Sequence, residues 1–240
     1  MVFDRAILFI SHNKTMKIFI KRYSALLFVS FALLLLISSC QKHDPDVIVR
    51  GESKIKFVNA TQTETEQEVY VDDQIVPNTA LAFGGNTDYF KAASGNRNIK
   101  YAGSSGISTQ LSFNFTPSIT YSAFLVADRS GNREILTYED NLGTTGQNMA
   151  KIRLINLTPY YTTGINVSLL AGTQFVNALL YKESTNYFSV DTGVALRYTV
   201  VGGGTIKTIA ATELEAGKIY TIWFSGTTAA TIEAHIVMNN

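Results

Sequence analysis

Apolar and polar residues alternate in short runs along most of this chain. In Lys54-Ile55-Lys56-Phe57 the apolar Ile55 and Phe57 are separated by lysines, the period of a strand with one face in a core and one in water. Glu68 to Val71 repeats the pattern, followed by ALAF at 80–83, TDYFKA at 87–92, IKYAG at 99–103 and LSFNF at 111–115. Gly84-Gly85, Gly95-Asn96 and Gly103 to Gly106 punctuate these runs, and segments with a helical period are absent. The pattern predicts an all-β protein of short strands joined by tight turns.

The same strand is written twice. KIKFVNAT at 54–61 returns as KIRLINLT at 151–158, TDYF at 87–90 as TNYF at 185–188, and the stretch around Tyr121 as the stretch around Tyr220, at offsets of 97 to 99 positions. This predicts two tandem β-sandwiches, residues 54–140 and 151–240, joined by a Gly/Thr/Asn linker at 141–150 short enough to keep them close neighbours. In both copies an apolar residue and a turn precede a tyrosine, Phe115 before Tyr121 and Leu214 before Tyr220. That arrangement resembles the tyrosine corner of Greek-key sandwiches, where the phenol bonds back to the chain crossing between sheets. Taking that Tyr as inward, Ile222 and Phe224 share its face, while Trp223 and its counterpart Phe124 point outward and need cover, so Trp223 is expected to be buried.

Ahead of the repeats the pattern changes. Lys14 to Arg22 is basic, Tyr23 to Ile37 is an apolar run rich in Leu with only Ser24 and Ser30 in it, and Ser38-Ser39-Cys40 follows. The run is shorter than the ~20 apolar residues that span a bilayer, and small residues stand where a peptidase would cut, so residues 1–39 read as an export signal peptide. Met16 makes a better start for it than Met1. Ile37-Ser38-Ser39-Cys40 resembles a bacterial lipobox. The resemblance implies a diacylglyceryl thioether on Cys40, cleavage before it and acylation of the freed amine. With ~0.8 kcal/mol from each buried methylene, two or three chains anchor a protein stably to a membrane. Residues 40–53 then form a lipidated Cys with a flexible tether, and the expected location is the bacterial outer membrane, periplasmic or surface-exposed.

Composition narrows the function classes. Charged residues are 16% of the 240 and the formal net charge is +1, which argues against a nucleic-acid partner, since phosphates demand a basic face. Cys40 is the single cysteine, excluding an internal disulfide and a thiolate metal cluster. No metal site or cofactor is expected. Glu64, Glu66 and Glu68 alternate without the Gly turn or Asp pattern of a calcium loop and read as a solvated loop. Asp72-Asp73 reads as a hairpin turn. Asn59-Ala60-Thr61 and Asn156-Leu157-Thr158 match a glycosylation sequon, but each asparagine reads as ending a strand by bonding its own backbone.

Several features together resemble the family known as domain of unknown function 4397: the Ile-x-[Phe/Leu]-[Val/Ile]-Asn openings, Leu81-Ala82-Phe83 and Leu179-Leu180-Tyr181, the Tyr-Phe pairs after Asp88 and Asn186, and Gly95 and Gly193. The likeness covers 54–240, twice over. It implies an extracytoplasmic, often lipid-anchored protein of Gram-negative bacteria with an immunoglobulin-like or transthyretin-like sandwich. It brings no catalytic or binding residues. Where the family often carries a Pro-containing run in the first loop, this chain has TQTETEQE and TPYYTTG, so no shared ligand is carried over through that loop.

No catalytic set emerges. His12, His43 and His235 are the three histidines, in leader, tether and last strand, and His235 reads as a solvent-side residue. A nucleophile triad needs a better-placed base. The expected function is non-enzymatic: a binding or adhesion module engaging a glycan or envelope protein. The alternative is a pilin-like fimbrial subunit cut after Arg50. The candidate partner contacts are Tyr160 and Tyr161, taken as an exposed aromatic pair, because aromatics at loop tips give contact area at low entropic cost.

Overall fold

The alternation around Lys56 builds a strand that is covered on both faces, and that fact organises the molecule. The computed structural model describes residues 51–62, 66–77, 80–170 and 172–240. The strands of the first copy are β1 (Glu52–Asn59), β2 (Gln67–Val71), β3 (Gln74–Ile75), β4 (Phe90–Ala93), β5 (Gly95–Gly103), β6 (Ser108–Phe115), β7 (Thr120–Ala127) and β8 (Arg133–Glu139). Those of the second are β9 (Met149–Asn156), β10 (Ile165–Leu169), β11 (Gln174–Leu179), β12 (Phe188–Asp191), β13 (Leu196–Val200), β14 (Lys207–Ile209), β15 (Ile219–Ser225) and β16 (Glu233–Met238). A single-turn 3-10 helix at Ala211–Glu213 accompanies them. The described residues are all-β, a tandem pair of β-sandwiches.

Each copy packs two four-stranded sheets, ordered β4-β1-β7-β8 on β3-β2-β5-β6, and β12-β9-β15-β16 on β11-β10-β13-β14. The opening strand is central each time, parallel to β7 or β15 on one side and antiparallel to β4 or β12 on the other. The inward halves of the alternation make two separate cores, around Ile55, Phe57, Tyr101 and Leu125 in one copy and Leu154, Val167, Ile222 and Phe224 in the other. Tyrosine corners occur in both. The Tyr121 hydroxyl accepts from the Thr116 amide at 3.3 Å and the Tyr220 hydroxyl from the Glu215 amide at 3.0 Å, holding the crossover between sheets.

A third core lies between the sandwiches. Val58, Phe124 and Val126 of the first copy meet Ile155, Trp223 and Val237 of the second, with Phe83, Leu136 and Tyr138 packed against them. The described residues from 51 onward are therefore one compact unit, four sheets deep. This corrects the expectation that Lys56 faces water. Lys56 and its counterpart Arg153 keep only 6% and 2% of their exposure, because the outward face of β1 and β9 is where the copies join. ALAF at 80–83 also differs from expectation, being a loop whose Leu81 makes one isolated bridge to Gln67. Asp72 and Asp73 do turn β2 into β3, both at positive φ. The leader, Cys40, the tether to Arg50, and Glu64 lie outside the described residues.

Candidate functional site

Side chains from both copies converge on Asp140. Arg153 Nη2 donates to its Oδ1 at 2.6 Å, while Ser122 Oγ and Tyr89 Oη donate to Oδ2 at 2.6 and 2.8 Å. Tyr187 Oη reaches Oδ1 at 3.4 Å, and Asn239 Nδ2 donates to Tyr89 Oη at 2.8 Å. Tyr89 and Tyr187 are the tyrosines of TDYF and TNYF, so the repeated motif serves as a clamp between the copies. The contacts are reciprocal. Arg153 Nη1 donates to Glu139 O at the end of β8, and Lys56 Nζ donates to Met238 O at the matching place on β16. Such exchange is the mark of an isologous interface. Burial lowers the Lys56 pKa, against the opposing pull of Asp88 and Asp140. Burial likewise pushes the Tyr187 hydroxyl up to about 12, with Arg153 pulling it back.

At the centre of the joint Trp223 is fully buried. Its ring stacks on His235, centroids 3.9 Å apart and 14° between planes, while Phe83 meets both rings edge-on. His235 is thus not on the solvent side. Its alternation phase was right, but the face opposite the core of its own sandwich is covered by the other copy. The ring's Nε2 shares a 2.8 Å hydrogen bond with Ser225 Oγ. A Cβ added at Gly84 would stand 3.5 Å from its Nδ1, the nitrogen that a triad carboxylate would hold. Burial lowers the His235 pKa below 6.5, with Glu233 partly opposing. The unfolded chain therefore binds the proton more readily than the folded one. Stability is present in full above 6.5 and is lost as the pH falls through the depressed value. Urea unfolding followed from neutral pH into mild acid should show this loss, and His235→Gln should flatten the slope over that window. An equal slope in the variant would assign the effect elsewhere.

The two sequon turns meet at the end of the molecule remote from Gly51. Asn59 Oδ1 accepts from Thr61 N and its Nδ2 donates to Leu81 O; Asn156 repeats both bonds with Thr158 N and Leu179 O. Both asparagines are fully buried and act as strand-end turns. Between these turns runs a cleft of about 260 Å³, lined by Thr61, Gln62, Asp128 to Gly131, Thr158 to Tyr160, Ser225 and Gly226. Arg129 crosses it, donating to Pro159 O at 2.8 Å and Tyr160 O at 3.1 Å, and its guanidinium stands 5.9 Å from the Tyr160 ring.

The expected exposed pair is one exposed tyrosine and one core tyrosine. Tyr160 keeps 41% of its exposure and Tyr161 only 6%. Tyr161 fills the second core and donates its hydroxyl to Thr228 O at 2.6 Å. Gly226 makes room for this, since a Cβ there would stand 2.7 Å from that hydroxyl. Alternation could not reveal it, because the loop has no strand period. Arg129, Asp140, Arg153 and the motif tyrosines were not singled out from the sequence as site residues. The legible signal was the recurrence of Tyr89 as Tyr187 and of the basic Lys56 as Arg153 at matched positions; Arg129 and Asp140 had none.

The family model described as Domain of unknown function (DUF4397) matches residues 53–163. The match takes in the first sandwich and runs through the second opening strand to the loop bearing Tyr160, so this part of the chain resembles the family to which the residue pattern pointed. No curated protein matches the chain. A crystal structure from Parabacteroides distasonis ATCC 8503, described as a candidate cell adhesion protein, aligns with 79% of this chain and 98% of its own at 8% identity, with a TM-score of 0.22. That overlap is too small to carry a fold from one to the other.

Proposed function

We propose that this chain, matched by the DUF4397 family model over residues 53–163, is a non-enzymatic, lipid-anchored envelope module that binds a glycan or protein partner at the end remote from its tether. The observation that carries the reading is the place of Tyr160. The chain enters at Gly51, whose carbonyl accepts from Ser94 N, and β1 then runs a strand of ~25 Å to the opposite end, where the cleft and Tyr160 stand. Tyr160 is exposed, and Arg129 fixes the loop beneath it. A rigid aromatic beside a polar cleft gives contact area with little entropy to lose on binding. His235, the only histidine among the described residues, is engaged by Trp223 and Ser225, and no group of three or more metal-binding side chains gathers among them.

The pilin-like alternative requires cleavage after Arg50 to open a strand-shaped gap. β1 begins at Glu52 and is flanked on both sides, so such a cut takes no described strand away. Pull-down from envelope extracts and a glycan array, run with the wild type and Tyr160→Ala, test the binding reading. Capture by the wild type and its loss in a normally folded Tyr160→Ala variant is the expected result. Unchanged capture moves the contact elsewhere. Lipid anchoring is tested in the same cells, because Cys40→Ala should abolish fatty-acid labelling, and equal labelling removes the anchor.

A further inference from the structure

The duplicated design supplies its own control. About the joint, each copy forms a groove beside its motif tyrosine, and the two grooves are not alike. The one beside Tyr89 is about 450 Å³, lined by Lys56, Asn86, Asp88, Met238 and Asn239. The one beside Tyr187 is about 890 Å³, lined by Tyr138, Glu139, Asn141, Lys151, Arg153 and Asn186 among others. The register of β7 with β8 and of β15 with β16 matches Tyr138 to Val237 and Glu139 to Met238. Where the small groove has Lys56, Asp88 and, behind it, Val237, the large one has Arg153, Asn186 and Tyr138. The copies diverge here toward more aromatic surface and neutral hydrogen-bonding groups.

We propose that the groove between Tyr138 and Tyr187 is a second binding site, separate from the Tyr160 cleft, and that it takes an uncharged oligosaccharide. Arg153 stands between the two rings, its guanidinium carbon 5.6 Å from the centre of Tyr138 and 5.1 Å from that of Tyr187. The rings are held apart by a side chain that is itself only 3% exposed. Aromatic faces carry partial negative charge and attract the C–H face of a sugar ring. Arg153 lines this groove, and its Nε–H, buried just beneath, has no hydrogen-bond partner among the described residues. A buried donor left unpaired is costly, and a sugar oxygen entering the groove would relieve it. The charges lining the groove cancel, Arg153 with Asp140 and Lys151 with Glu139, so a phosphate or polyanion gains no net attraction. Lys151 Nζ, held by Asn141 Oδ1 at 3.0 Å, and the Asn186 amide add donors and acceptors side by side, as a polyol presents them.

The test is titration of the 15N-labelled full chain, purified in detergent, with cellohexaose, maltohexaose, mannohexaose and chitohexaose. At least one should shift the backbone amides of Lys151, Thr185 and Asn186. Tyr138→Val with Asn186→Asp, which imposes the residues of the sister groove, should weaken binding about tenfold or more. Tyr160→Ala should leave it unchanged. Should the double variant melt early, Asn186→Asp alone, at an exposed position, must still weaken binding. No shift with any of the four at millimolar concentration overturns the proposal, as does equal binding by these variants. Shifts confined to Thr61, Ser130 and Tyr160 overturn it too, while leaving the remote cleft standing as the partner site.

Discussion

Asp140→Ala is expected to lower the unfolding free energy by ~3–5 kcal/mol, the cost of leaving a buried guanidinium without its partner. The magnitude follows from the burial of the pair, whose side chains are 3% and 0% exposed at a separation of 2.6 Å. The same change strips an acceptor from Ser122, Tyr89 and Tyr187, so the loss belongs to a network and not to one bond. Asp140→Asn should cost less, because the carboxamide keeps one acceptor and asparagine already stands at the equivalent Asn239. Asp140→Leu combined with Arg153→Met should recover only part of the loss. It removes the unpaired charge but leaves the tyrosine and serine hydroxyls without their acceptor. Urea unfolding of the variants checks the series. An Asp140→Ala protein within ~1 kcal/mol of wild type, against the larger cost expected for a broken buried pair, would mean that the clamp contributes little to holding the copies together.

Trp223→Ala should cost a similar ~3–5 kcal/mol, the usual range for deleting a large buried aromatic. The residue is fully buried among Phe83, Phe124 and His235, rings that come from both sandwiches and cannot collapse onto one another without moving a whole sheet. Trp223→Phe should cost far less. Phenylalanine is what the first copy carries at Phe124, and the change deletes an indole Nε1 that has no hydrogen-bond partner in the joint, a donor that is costly to bury unpaired. Intact protein should accordingly show blue-shifted emission that iodide does not quench, and Trp223→Ala should melt well below Trp223→Phe. Near-equal melting of the two variants would show that the ring fills no space the joint needs.

The two cores were legible in the sequence because each depends on a local rule. Period-two alternation assigns Ile55 and Phe57, or Ile222 and Phe224, to one face of a strand without reference to anything distant. Recurrence at matched positions then gave the duplication, the tyrosine corners and the asparagine turns, since each is a bond within a few residues of sequence or a repeated strand. Alternation divides residues between two faces, but it does not say what lies against the second. Lys56 and His235 were therefore read as facing water, although their phase along the strand was right. Trp223 and Phe124 gave the warning, as large apolar groups on an outward face need cover. The third core was decided by docking two copies through matched surfaces, and with it the burial of Arg153 against Asp140 and of His235 against Trp223. The separate fates of Tyr160 and Tyr161 were also tertiary. In a loop without a period, room beside Gly226 places one ring in the core, and Arg129 holds the other at the rim of the cleft.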